Sequence, residues 1–143
     1  MKSVLLLLLF TTIISYNPDE ALKYAMRWWN GRNSQYNDYG GNDCANFVSQ
    51  CLIAGGLNLN GCAQDNRGTV PSVNNLKSCL TSKGFKAYSS LPRGFRAGYP
   101  VIFPGHATLC SRITGSTVFV AAHSNNHDYL NAKYMGSAPT YYM

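Results

Sequence analysis

The stretch Asn42-Asp43-Cys44-Ala45-Asn46-Phe47-Val48-Ser49-Gln50-Cys51-Leu52-Ile53-Ala54-Gly55-Gly56 constrains the fold most, because it encodes both ends of a helix. Asp43 stands where a carboxylate accepts the unpaired backbone N–H groups of a first turn, so it is expected to be the N-cap. Phe47, Val48, Cys51 and Leu52 recur at helical spacing and give one apolar face to bury. Gly55-Gly56 supplies the left-handed backbone that ends a helix. Cys44 then falls in the first turn, at the positive end of the helix dipole, which favours thiolate over thiol. Local sequence leaves two readings open: a nucleophile, or an ordinary buried or disulfide-bonded cysteine.

The flanking segments predict helices first and strands later. Residues 1–15 combine Lys2, the apolar run from Val4 to Phe10 and a small residue at Ser15, the pattern of a secretory signal peptide. Its apolar run is too short to span a bilayer. Residues 16–143 are then read as one mature domain, a size that suits a single core. Asn17-Pro18-Asp19-Glu20 predicts a helix start, with Asn17 as cap, Pro18 in the first turn and Glu20 completing a capping box. Ala21, Leu22, Ala25, Met26, Trp28 and Trp29 form its apolar stripe. A third helix starts at Ser72, buries Val73, Leu76, Cys79 and Leu80, and stops at Gly84.

Beyond Phe85 the period changes to two. Strands are expected over residues 99–103, 106–113 and 117–122, joined by turns at Pro104-Gly105 and Gly115-Ser116, with a last strand near Thr140-Tyr141-Tyr142. Helices followed by an antiparallel meander define an α+β domain.

Cys44, Cys51, Cys62, Cys79 and Cys110 make an odd count, which in a secreted chain leaves one thiol over. If Cys44 is free, Cys62–Cys79 is the favoured disulfide, with Cys51–Cys110 as a second pair; the alternative for Cys51 and Cys110 is a pair of buried thiols.

A thiolate nucleophile needs a base, and the base a partner that orients it. His106 starts one strand and His123 ends the next, so the hairpin between them sets the two side by side. His106 is the expected base and His123 its orienting partner. His123 and His127 also have the H-x-x-x-H spacing of zinc sites, but no third ligand is evident and no metal or other cofactor is expected. The formal net charge of +6 favours anionic partners, while the scattered Lys and Arg residues give no basic groove for nucleic acid.

The residues from Asp43 to Leu52 with Ala54-Gly55-Gly56 resemble the signature of the putative amidase domain family, which groups with the NlpC-like, papain-fold cell-wall peptidases. Tyr24-Ala25-x-x-Trp28-Trp29, Asn33 and Tyr36 match its entry helix and loop. Gly105-His106-Ala107-Thr108 is similar to its histidine strand, and Ala122-His123-Ser124-Asn125 to its next block.

The resemblance implies a papain-like fold with Cys44 as nucleophile, His106 as base and His123 as third residue. Asn125 is the alternative for that third role, and Tyr36 lies near the oxyanion. It also departs from the family: Gly98-Tyr99-Pro100 stands where Gly-Asp is usual, and Arg93 and Arg96 just upstream are expected at the cleft.

What this implies is a secreted, monomeric thiol amidase or peptidase acting on peptidoglycan, at the sugar–peptide amide or a stem-peptide bond, without stable membrane insertion. The alternatives are a catalytically silent wall- or glycan-binding module and an effector acting on protein amides.

Overall fold

The structure is a computed structural model and describes residues 15–125, 127–133 and 137–143. Nearly all of the expected leader lies outside the described residues. Among the described residues there are three α-helices: α1 (Pro18–Trp28), α2 (Cys44–Ala54) and α3 (Val73–Ser82). They precede six strands: β1 (Ala87–Tyr88), β2 (Pro100–Phe103), β3 (His106–Thr114), β4 (Thr117–Ala122), β5 (Tyr129–Lys133) and β6 (Thr140–Tyr142). The strands form one antiparallel sheet in the order β1-β6-β2-β3-β4-β5. The α+β class and the β2-β3-β4 meander agree with the sequence expectation, while β1 and β5 were not expected.

The helix ends follow local chemistry in two cases out of three. The Asn17 side chain accepts from the N–H groups of Asp19 and Glu20 at 3.0 and 3.3 Å. The expected capping box does not close, because the Asn17 N–H donates to the Gly55 carbonyl and Glu20 pairs with Lys23. Ser72 caps α3 by accepting from the Asn75 N–H. Asp43 makes no capping hydrogen bond at the start of α2, against expectation.

Helix α2 is the central element. Ala45 through Leu52 are all buried, so its polar residues are enclosed as well as its apolar ones. Val48 and Leu52 join Leu76 and Leu80 of α3 and Ile102 of β2 in one apolar cluster. On a second side, Phe47 and Cys51 meet Ala21 and Ala25 of α1 and Leu109 of β3. Helix-on-sheet packing therefore builds the main core. The opposite sheet face is covered by residues around Phe95, which pack on Val101, Phe103, Cys110 and Val120.

Gly98 enables a close approach between this cover and α1. It has φ +99°, and a Cβ there would fall 2.0 Å from the Pro18 carbonyl oxygen, so only glycine fits. Arg96, expected at the cleft, instead reaches Asp19 at 2.7 Å on the surface.

One disulfide is present, Cys62–Cys79, tying the loop before α3 to that helix. Cys51 and Cys110 are separate buried thiols, which corrects the second expected pair. The reason is strand alternation: neighbouring strand residues point to opposite faces. Leu109 packs against Cys51 on the helical face, so Cys110 points to the other one.

Candidate active site

The N-terminus of α2 opens into a cavity of about 590 Å³. Its lining includes Cys44 from the first turn of α2, His106 from the start of β3, and Asn125, His127 and Tyr129 from the approach to β5. Pro71 and Val73 at the start of α3 form an apolar part of the wall. Cys44 is a free, partly exposed thiol, whereas Cys51 and Cys110 are enclosed. The expected nucleophile and base thus meet in one cleft, although no hydrogen bond joins them among the described residues. Catalytic contacts in free enzymes often tighten only when substrate binds.

His106 is partly buried, and its Nε2 lies 2.8 Å from the Tyr129 hydroxyl. Burial holds its imidazole below the ordinary histidine range. The ring is therefore kept in its neutral form near neutral pH, the state a general base requires.

His123 does not partner His106. It is 1% exposed, stacked on Phe47 with ring centroids 4.1 Å apart, and lines the cavity only at its inner wall. Its Nδ1 lies 2.5 Å from Asp43 Oδ2 and its Nε2 2.8 Å from the Trp28 carbonyl oxygen. Both ring nitrogens are therefore occupied by partners other than His106. Neither nitrogen is turned toward His106, and among the described residues no group of metal-ligating side chains comes together.

Asp43 was expected to cap α2 and instead anchors this buried arrangement. Its side chain is fully enclosed. Oδ1 accepts from the Tyr39 N–H at 3.1 Å and Asn46 Nδ2 at 2.8 Å. Oδ2 accepts from His123, and Arg32 Nε lies 3.2 Å away. Burial pushes the carboxyl up, but the hydrogen bonds from His123, Asn46 and Tyr39 outweigh it and hold the acid below the usual range. Because this carboxylate is turned away from the helix, the first-turn N–H groups of α2, that of Cys44 included, are left without a side-chain cap.

Arg32 extends the network outward. Its guanidinium contacts Asp128 at 2.8 Å, and the Asp128 carboxylate accepts from the Ser124 N–H at 3.2 Å. The turn between β4 and β5 is thereby fastened to the loop before α2. A second set of polar contacts joins that loop to the next: Tyr39 donates to Asp65, and Thr69 Oγ1 lies 2.6 Å from Asn46 Oδ1.

The remaining expected residues divide between the cleft and its surroundings. Asn125 is exposed and lines the cavity, as does His127. Tyr36 is half-buried and is not among the described lining residues, and neither is Arg93 nor Arg96. Lys133, at the end of β5, lines the cavity and was not singled out in the sequence. Tyr129, Arg32 and Asp128 were likewise missed. Arg32 stands in a loop of Asn, Gly, Ser and Gln that carries no periodic signal, and the β5 segment lacks clean alternation.

These features define the class: an α+β domain whose cleft gathers a helix-start cysteine and a strand-start histidine. The comparisons agree at the family level. The family described as "Putative amidase domain" matches residues 15–91, more than half of the chain, and the chain belongs to that family. That membership suggests an amide hydrolase. The match takes in the Cys44 helix and ends before His106. A Bacillus subtilis (strain 168) protein described as "Uncharacterized protein YhbB" is 30% identical over 147 aligned residues, covering 93% of this chain. The chain spans 46% of that relative's length, so about half of it. No solved structure matches the chain.

Proposed function

We propose that the chain is a secreted cysteine-dependent amide hydrolase of papain-like, NlpC type, acting on peptidoglycan through a Cys44 thioacyl intermediate. The observation that carries this reading is the placement of a partly exposed Cys44 and a burial-neutralised His106 along one open cavity. His106 Nδ1 takes the thiol proton as Cys44 Sγ attacks the amide carbonyl carbon. His106 then delivers that proton to the leaving nitrogen as the C–N bond breaks, leaving a thioester. Water attacks the thioester, passes a proton to His106, and Cys44 departs as the thiol after reprotonation. The developing oxyanion is met by the uncapped Cys44 N–H, a preorganised donor that strengthens as charge forms.

The cavity's polarity supports an acidic substrate. Among the described lining residues there is no carboxylate, and Lys133 stands at the rim. The formal charge of +6 suits an anionic wall polymer. The Cys62–Cys79 disulfide suits an oxidising compartment, and among the described residues no helix is long and apolar enough to cross a membrane.

Digestion of purified peptidoglycan by the wild-type protein and by Cys44→Ala, with mass spectrometry of the released fragments, tests this reading. Fragments from the wild type alone are expected, and their new end groups assign the sugar–peptide amide or a stem-peptide bond. Equal release by both proteins contradicts the thiol mechanism. No release by either contradicts the wall substrate and leaves a glycan-binding module as the reading to pursue.

A further inference from the structure

We propose that Tyr129 is the positioning residue of His106, filling the place expected of His123 or Asn125; this rests on the reading of Cys44 and His106 as nucleophile and base. The geometry is specific. His106 opens β3 and Tyr129 opens β5, on either side of the end of β4. Tyr129 is in register with Ala122, whose side chain is only a methyl group. The Tyr129 hydroxyl reaches His106 Nε2 at 2.8 Å. His123 is unavailable because both its ring nitrogens are engaged elsewhere, with Asp43 and the Trp28 carbonyl. Among the described contacts of Asn125, none is a hydrogen bond to His106.

The proton inventory fixes the roles. If Nδ1 is to receive the Cys44 proton, Nε2 must already carry the ring proton. Nε2–H then donates and the Tyr129 oxygen accepts. The same bond persists when the ring becomes imidazolium, so the ring need not turn between proton uptake and delivery. A phenol can donate or accept; with its oxygen accepting from Nε2–H it holds that tautomer and the ring plane without the added charge of a carboxylate. The turn carrying Tyr129 is in turn held by Arg32 through Asp128, so the buried network at Asp43 acts on the base as well as on the nucleophile.

The test reads the tautomer first. Nitrogen-15 NMR of the wild-type protein should show His106 protonated at Nε2 and bare at Nδ1. Tyr129→Phe keeps the ring and removes the hydroxyl. It should yield a mixture of tautomers and slow alkylation of Cys44 by iodoacetamide at neutral pH roughly tenfold, the scale of one lost hydrogen bond, with an unchanged melting temperature. A wild-type His106 protonated at Nδ1 overturns the proposal. So does a folded Tyr129→Phe protein with wild-type tautomer and alkylation rate. Should that variant not fold, the wild-type tautomer decides alone. Slow alkylation of the wild type itself, together with the Nε2–H tautomer, contradicts the nucleophile reading and leaves the Tyr129 contact standing.

Discussion

Asp43 shows how a residue can be correctly noticed and wrongly assigned. A buried carboxylate loses several kcal/mol of hydration and is tolerated only when fully partnered. Here four donors surround it: Tyr39 N–H, Asn46, His123 and Arg32. Asp43→Asn would turn an NH2 group toward one pair of these donors. Urea denaturation should show a loss of about 3–5 kcal/mol, the range for breaking a buried charged pair. The sign with pH follows from the lowered carboxyl. Its stabilisation is present above the ordinary carboxylate value of about 4 and is lost as pH falls through the folded value. The wild type should therefore lose stability in acid below about pH 4, and Asp43→Asn should be flatter there. Capping is read from adjacent residues, whereas His123 lies eighty positions away, so only the packed structure could reveal the partner. Cys44 and His106 were legible because each sits at an element boundary marked by local chemistry.

At the scale of elements, α1, α2 and α3 were readable because an apolar period runs along each, with caps at Asn17 and Ser72 marking the starts of α1 and α3, although Asp43 does not cap α2. The strands split by pattern. β2 is buried throughout, and β3 and β4 carry a tight turn at Gly115 with φ +62° between them. β5 contains Asn131 at φ +54° and a register shift against β4. Such irregularity breaks the two-residue period that marks a strand. The Tyr129 contact was hidden with it. The Cys62–Cys79 pair was legible from its place beside α3, while Cys51 and Cys110 required knowing which face each strand residue takes. The disulfide spans 17 residues, and a loop of that size is worth about 3 kcal/mol of chain entropy. The Cys62→Ala, Cys79→Ala double variant should lower unfolding free energy by about that amount in urea. A change below about 0.5 kcal/mol would indicate that the denatured chain is already restricted there.

At the scale of the whole molecule, the fold brings the end of one central helix against one end of a sheet. Both sheet faces are covered, by the helices and by the segment around Phe95, and an open cavity of about 590 Å³ lies at the α2 N-terminus. The leader pattern and the net positive charge raised the expectation of a secreted protein with an anionic partner, but of no particular substrate, since a fold does not specify one. The proposed chemistry rests on a single contrast among three unpaired thiols. Cys44 lines the cavity together with His106, while Cys51 and Cys110 are enclosed and burial pushes both thiols up, Cys110 to about 12. The direct measurement is the pH dependence of iodoacetamide alkylation of the folded protein, located by peptide mass spectrometry, in the wild type and in His106→Ala. Rapid labelling of Cys44 at neutral pH that slows at least tenfold in His106→Ala, with Cys51 and Cys110 untouched, is the predicted result. Labelling of Cys44 at the rate of an ordinary free thiol, indifferent to His106, would contradict the account.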